Sequence, residues 1–219
     1  MRWTVLAAMA PWCVLAADGT AQNTGDEAVQ DSTQSFAGAA FLGFDLVVPA
    51  GEFRDNADVT WGLAFGGLFY LNEPRSLAVR GDMHYLAYGY SRKVRDLFFD
   101  EHHTNSITSF GVGPQYNSDF GPGRLFAFGT IGVSQFATSR TWTWFRGDES
   151  DNQLALTAGG GFSVNLMSID PRLALHFAAS YRHHGPTRYG TDGDGPVIMT
   201  DANLMILRLG VSHQFRGPP

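Results

Sequence analysis

Charge is scarce in this chain. Asp, Glu, Lys and Arg make up 16% of its 219 residues, well below the roughly 25% of an ordinary soluble protein. A water-facing surface of this size needs more charge than that. Basic residues are the scarcer sign, 15 against 21 acidic, and this argues against nucleic-acid binding. Cys13 is the only cysteine, so a disulfide framework and a cysteine-held metal are both excluded. Trp12 precedes it where a lipoprotein would carry a small residue. No stretch reaches 18 consecutive apolar residues, so the sequence contains no membrane-spanning helix.

What is abundant points to a sheet. The 26 glycines, 17 phenylalanines and 5 tryptophans suit β-strands with aromatic girdles better than helices. Arg2, the apolar run Val5 to Leu15 and then Ala16-Ala17-Asp18 have the layout of an export signal, expected over residues 1–17. Its removal takes away Arg2 and leaves 14 basic against 21 acidic residues, a net charge of −7. Residues 18–35 are polar, small and aperiodic, and read as a flexible leader.

From Phe36 onward the chain divides into eight alternating segments, near 36–48, 60–71, 77–90, 107–116, 124–136, 153–166, 172–183 and 203–215. Leu42, Phe44 and Leu46 oppose Gly43 and Asp45, and Leu77, Val79, Met83 and Tyr85 oppose Arg80, Asp82 and His84. In the fifth segment Leu125, Ile131 and Val133 share one face while Phe126, Phe128 and Phe136 share the other, so its facing stays open. Where the faces can be told apart, Asp45, Arg80, Asp82, Arg172, Arg182 and Arg208 all lie opposite the large apolar side chains. A charge facing hydrocarbon would cost about 2 to 4 kcal/mol. The connections alternate as well. Those at 72–76, 117–123 and 168–171 are short and turn-rich, while 49–59, 91–106, 137–152 and 184–202 are long and polar, as expected of short turns on one rim and long loops on the other.

The final segment, Asn203 to Phe215, puts Met205, Leu207, Leu209, Val211, His213 and Phe215 on one face and Arg208, Gly210, Ser212 and Gln214 on the other. Its order of a polar residue, then Gly210, then His213 and Phe215 resembles the C-terminal assembly signal of bacterial outer-membrane β-barrels. It departs in having His213 where an aromatic is commoner and in the tail 216–219 after Phe215. With the loop alternation, residues 36–215 resemble the small eight-stranded outer-membrane barrels, such as opacity proteins and the membrane domain of outer membrane protein A. The resemblance implies an all-β, antiparallel, up-and-down transmembrane barrel exported through the periplasm. Its implied partners are outer-membrane lipid, lipopolysaccharide and the barrel-assembly machinery; no cofactor or metal is implied, and any extracellular ligand is unknown. The expected role is structural or surface interaction through the long loops, without enzymatic activity.

Several motifs admit a second reading. A lumen cluster of Arg80, Asp82, His84, His176, Arg182 and Arg208 could line a narrow channel or hold a small ligand, although an eight-stranded interior is expected to be filled by side chains. His183-His184 invites a lipid-modifying enzyme, yet no Ser stands near it in sequence to serve as nucleophile. A soluble lipocalin-like barrel would need a charged outer face, which is missing. Asp100-Glu101-His102-His103 could attract a metal but reads as a solvated loop. Asp192-Gly193-Asp194-Gly195 lacks the further acidic ligands of a calcium loop. Gly159-Gly160-Gly161 reads as room for a bulky interior neighbour, and Trp142, Trp144 and Phe145 as an interfacial girdle flanked by Arg140 and Arg146.

Overall fold

The computed structural model describes residues 36–72, 74–96, 99–141, 146–166, 168–190 and 197–216. The expected signal and leader, Trp142 to Phe145, Asp192 to Gly195 and the last three residues lie outside them.

Ten strands run Phe36–Ala50 (β1), Thr60–Tyr70 (β2), Leu77–Asp96 (β3), Phe99–Phe120 (β4), Gly123–Thr141 (β5), Arg146–Asn165 (β6), Leu173–His184 (β7), Pro186–Gly190 (β8), Val197–Asp201 (β9) and Asn203–Arg216 (β10). Eight of them, β1 to β7 and β10, close an antiparallel barrel in sequence order, with β10 pairing both β7 and β1. β8 and β9 form a separate hairpin. A 3-10 helix, Gly51–Asp55, follows β1. The eight-stranded up-and-down barrel expected from the sequence is the observed architecture.

Period two decides the facing. Leu42, Phe44 and Leu46 on β1, Phe110 and Val112 on β4, and Leu207 and Leu209 on β10 all point outward, while Asp45, Ser109 and Arg208 are buried between them. The fifth strand is settled too. Ile131 and Val133 are half exposed, whereas Phe128 and Phe136 are buried in the lumen. The glycines of β6 explain how those rings fit. Phe126 pairs with Gly161 and Phe128 with Gly159, and a Cβ at either glycine would come within 2.9 Å of the facing ring. Trp61, Tyr85 and Tyr181 mark one edge of the outer apolar belt, and Phe69, Tyr116, Phe120 and Phe215 the other, so the belt is bordered by aromatics on both sides.

Strand length departs from expectation. β3 to β6 have 20, 22, 19 and 20 residues, against 15, 11, 12 and 14 for β1, β2, β7 and β10. Since about 9–11 residues cross a bilayer, β3 to β6 continue far past the belt as a projecting wall. Most of the loops expected at 91–106 and 137–152 are therefore strand, with Ser91 paired to His103 and Ser139 to Asp148. The cause is physical: beyond the lipid neither face needs to be apolar, so the alternation that marks a strand ends while its hydrogen-bond ladder continues. Arg172, expected inward on the seventh strand, is instead an exposed turn residue. The Asp170 side chain accepts its backbone N–H at 2.8 Å and closes the turn, while the Arg172 carbonyl accepts from Gln214 N at 2.9 Å.

Candidate functional site

The lumen is a packed interior with three levels. At its centre the carboxylate of Asp45 on β1 accepts two bonds from Arg208 on β10, Nε to Oδ1 at 2.7 Å and Nη2 to Oδ2 at 3.1 Å. These strands are neighbours because the barrel closes there, and Asp45 and Arg208 are direct partners in the register. His84 Nδ1 lies 2.7 Å from Asp45 Oδ2. Arg208 Nη2 also stands 3.0 Å from Nδ1 and 3.2 Å from Nε2 of the same ring. Asp82 links the second half of the cluster: its Oδ2 accepts Arg80 Nε at 2.8 Å, and its Oδ1 stands 3.6 Å from Arg208 Nη1. Arg80 also donates through Nη1 to Gln115 Oε1 at 2.8 Å, and Gln115 Nε2 donates to Asn117 Oδ1 at 2.6 Å. The guanidinium of Arg80 lies over Phe128 at 4.1 Å and Phe41 at 4.6 Å from the ring centroids. Such a network suits groups that have left water, because each charge keeps a partner and each planar cation an aromatic face.

Small residues make the space for it. A Cβ at Gly43 would lie 3.1 Å from Arg208 Cγ, and one at Gly210 would lie 2.7 Å from His176 Nε2.

Toward the loop rim the lumen turns apolar. Val47, Phe53, Leu86, Tyr88, Ile107, Phe136, Ala202, Leu204 and Ile206 pack together, with Phe53 supplied by the 3-10 helix. Nothing in the alternation of the strands sets this layer apart. A sealed lumen holds little water, so inward apolar side chains there are as well buried as in a soluble core. Beside this layer His184 Nε2 meets Ser134 Oγ at 2.7 Å, and Ser134 Oγ meets Ser109 Oγ at 2.7 Å. The backbone oxygen of Ala202 accepts from His184 Nδ1. The expectation that no Ser stands near His184 is thus corrected in space: β5 brings one from fifty residues away. This resembles a nucleophile and its base, but Ser134 and His184 are both fully buried and no substrate reaches them. His183, one residue earlier, faces outward and bonds Asn203 Oδ1 at 2.7 Å.

All six residues expected in the lumen cluster, Arg80, Asp82, His84, His176, Arg182 and Arg208, are buried inside. The first three join Arg208 in one network. Arg182 stands apart, donating from Nε to Thr157 Oγ1 at 3.1 Å, and His176 packs edge-on against Phe41. Asp45, the acceptor at the centre of the network, was expected to face inward but was not grouped with them; its register position opposite Arg208 is the signal that joins them. Of the three residues resembling an assembly signal, Gly210 faces the lumen, His213 faces out beside Ala40, and Phe215 covers Gly38. The His102 and His103 side chains lie outside the described residues. Among those described, no group of three or more His, Cys, Asp or Glu could hold a metal.

No protein-family model and no curated protein matches the sequence. Solved structures do match the fold. Neisserial surface protein A superposes with a TM-score of 0.54 at 13% identity, over 82% of this chain and 97% of that one. The attachment invasion locus protein of Yersinia pestis, solved in complex with the heparin analogue sucrose octasulfate, gives 0.52 at 15% identity, over 81% and 97%. At such identities the likeness is one of fold, and the fold is that of the small bacterial outer-membrane β-barrels.

Proposed function

We propose that this chain resides in the outer membrane and acts as a surface-interaction protein whose contact surface is the projecting wall of β3 to β6. The carrying observation is the length of those four strands, about twice what a bilayer needs. Ordering so much sheet past the membrane costs backbone entropy, and a contact surface gives that extension a role. An outward belt of Leu, Phe, Ile and Val supports the location, because in water it would be an exposed apolar surface far larger than a soluble protein keeps.

Transport through the lumen is disfavoured by its two barriers, the ionic cluster and the apolar layer around Phe53. Chemistry at the Ser134–His184 pair is disfavoured by its burial. A role without enzymatic activity is therefore the better reading.

The projecting segments 91–106 and 137–152 hold five basic residues, Arg92, Lys93, Arg95, Arg140 and Arg146, against six acidic ones, Asp96, Asp100, Glu101, Asp148, Glu149 and Asp151. That balance does not favour a polyanion of the heparin kind present in the Yersinia structure. The connections at their ends carry Phe98, Trp142, Trp144 and Phe145, residue types that anchor protein interfaces. The partner class is thus a protein surface.

Cells expressing the full chain should bind immobilised host matrix proteins, and replacing 142–145 by Gly-Ser-Gly-Ser should abolish binding while the barrel still inserts and still shifts on an SDS gel when boiled. Equal binding by the two forms, or none by either, would refute the proposal.

A further inference from the structure

The half of the lumen next to the short turns is incompletely filled. A cavity of about 50 Å³ lies there, with Tyr70, Arg80, Asn117, Arg124, His176 and Gln214 on its wall. At about 10–15 Å³ each it would hold roughly three to five water-sized occupants. Two buried nitrogens among the lining residues have no hydrogen-bond partner, Arg124 Nη1 and His176 Nε2. Arg80 is not spare in this way, since its Nε is held by Asp82 and its Nη1 by Gln115.

The surroundings are cationic. Arg124 Nε is paired at 2.9 Å with Asp119, a carboxylate that remains largely in solvent. Arg75, in the adjoining turn, sits close enough to be affected: burial first, and then the neighbouring Arg124 charge, hold its guanidinium below the usual arginine range. Deeper in, Arg80 and Arg208 are matched by the buried carboxylates Asp82 and Asp45, while the buried guanidinium of Arg182, beyond the cavity wall, bonds only Thr157 among the described residues and leaves the interior with an excess of positive charge. Water filling the cavity would satisfy the two nitrogens but would leave this positive excess in place. An anion answers both needs.

We propose that this cavity binds a small phosphate-type oxyanion entering from the turn rim, with Arg124 Nη1 and His176 Nε2 as its donors. Occupancy selects the His176 tautomer that carries the proton on Nε2. The fork of Arg124 remains anchored by Asp119 and is therefore pre-oriented. The anion is either free phosphate or the phosphate of a lipid headgroup, which share this chemistry. The site lies at the opposite rim from the projecting wall and does not depend on what that wall binds.

The test is isothermal titration calorimetry of the full chain, folded in detergent micelles, with inorganic phosphate in one arm and glycerophosphate in the other. Wild type should bind at a 1:1 ratio. Arg124→Gln and His176→Phe should each weaken binding at least tenfold, while Arg54→Gln, an exposed residue of the 3-10 helix at the opposite rim, should not. Tighter binding of glycerophosphate would identify a headgroup, and tighter binding of inorganic phosphate a free ion. Retention of the gel shift on boiling identifies folded variants. If either substitution prevents folding, the other is read alone. No saturable binding by wild type, or wild-type affinity in a folded Arg124→Gln or His176→Phe variant, overturns the proposal.

Discussion

Replacing Asp45 by Ala tests the central claim that the lumen is held by one ionic network. The substitution removes the acceptor of two short Arg208 bonds and of the His84 Nδ1 bond. Arg208 would keep the His84 ring, 3.0 Å from its Nη2, and one carboxylate, Asp82, at 3.6 Å. Removing one partner from a buried ion pair typically costs about 3–5 kcal/mol, because the remaining charge is left without compensation. The residual attraction to Asp82 puts the expected loss near the lower end, about 3 kcal/mol. Arg208→Met alone should be costly for the mirror reason, since it leaves the Asp45 carboxylate with His84 as its only partner. The pair Asp45→Ala with Arg208→Met removes both charges together and should cost less than the sum of the single changes by about 2 kcal/mol. The assay is reversible urea unfolding in phospholipid vesicles, followed by tryptophan fluorescence and gel mobility. A loss below about 1 kcal/mol for Asp45→Ala, or additivity in the cycle, would show that the carboxylate is solvated and that the lumen is wet at its centre.

Four further outcomes are expected. Ile131→Arg should destabilise the barrel by about 2–4 kcal/mol in vesicles because the fifth strand presents that residue to lipid; a change near zero would reverse the facing. Phe53→Ala should cost about 3–5 kcal/mol by leaving a cavity in the apolar layer, and planar-bilayer recording should find no single-channel steps in wild type; regular steps there would contradict a sealed lumen. Ser134→Ala should lose about 1 kcal/mol of hydrogen-bond stability and leave the lipid A mass spectrum of expressing cells unaltered, whereas a change in that spectrum would revive an enzymatic reading. The Asp151 carboxylate is held below its ordinary range, first by the Arg188 backbone N–H and then, against a small burial penalty, by Gln153. A lowered carboxylate pKa stabilises above the unfolded value of about 4, and that contribution is lost as pH falls through the folded one. The protection of the Arg188 amide against hydrogen exchange, relative to its intrinsic rate at each pH, should therefore fall in acid, and a pH-independent protection would count against the contact.

Much of the fold was legible because a strand's facing is a local property. Leu42, Phe44 and Leu46 alternate with Gly43 and Asp45 whatever their neighbours, and lipid outside with a packed lumen inside makes that alternation obligatory in the belt. The projecting parts of β3 to β6 were illegible for the same reason, since residues such as Thr104, Ser106, Thr138 and Ser139 carry no contrast between faces once lipid is gone. The fifth strand failed differently: both of its faces are apolar, and only Gly159 and Gly161 on the adjoining strand show that Phe128 and Phe126 are the inward pair.

Residue order carries the eight crossing segments and the inward facing of Arg80, Asp82, His84, His176, Arg182 and Arg208, but not the exposed turn position of Arg172 or the extension of β3 to β6 through the segments read as long loops. Tertiary structure alone decided which inward residues share a level. Asp45 meets Arg208 across 163 residues and Ser134 meets His184 across 50. Those encounters depend on the stagger with which the strands close the barrel, and one step of register would turn each of these side chains to the opposite face.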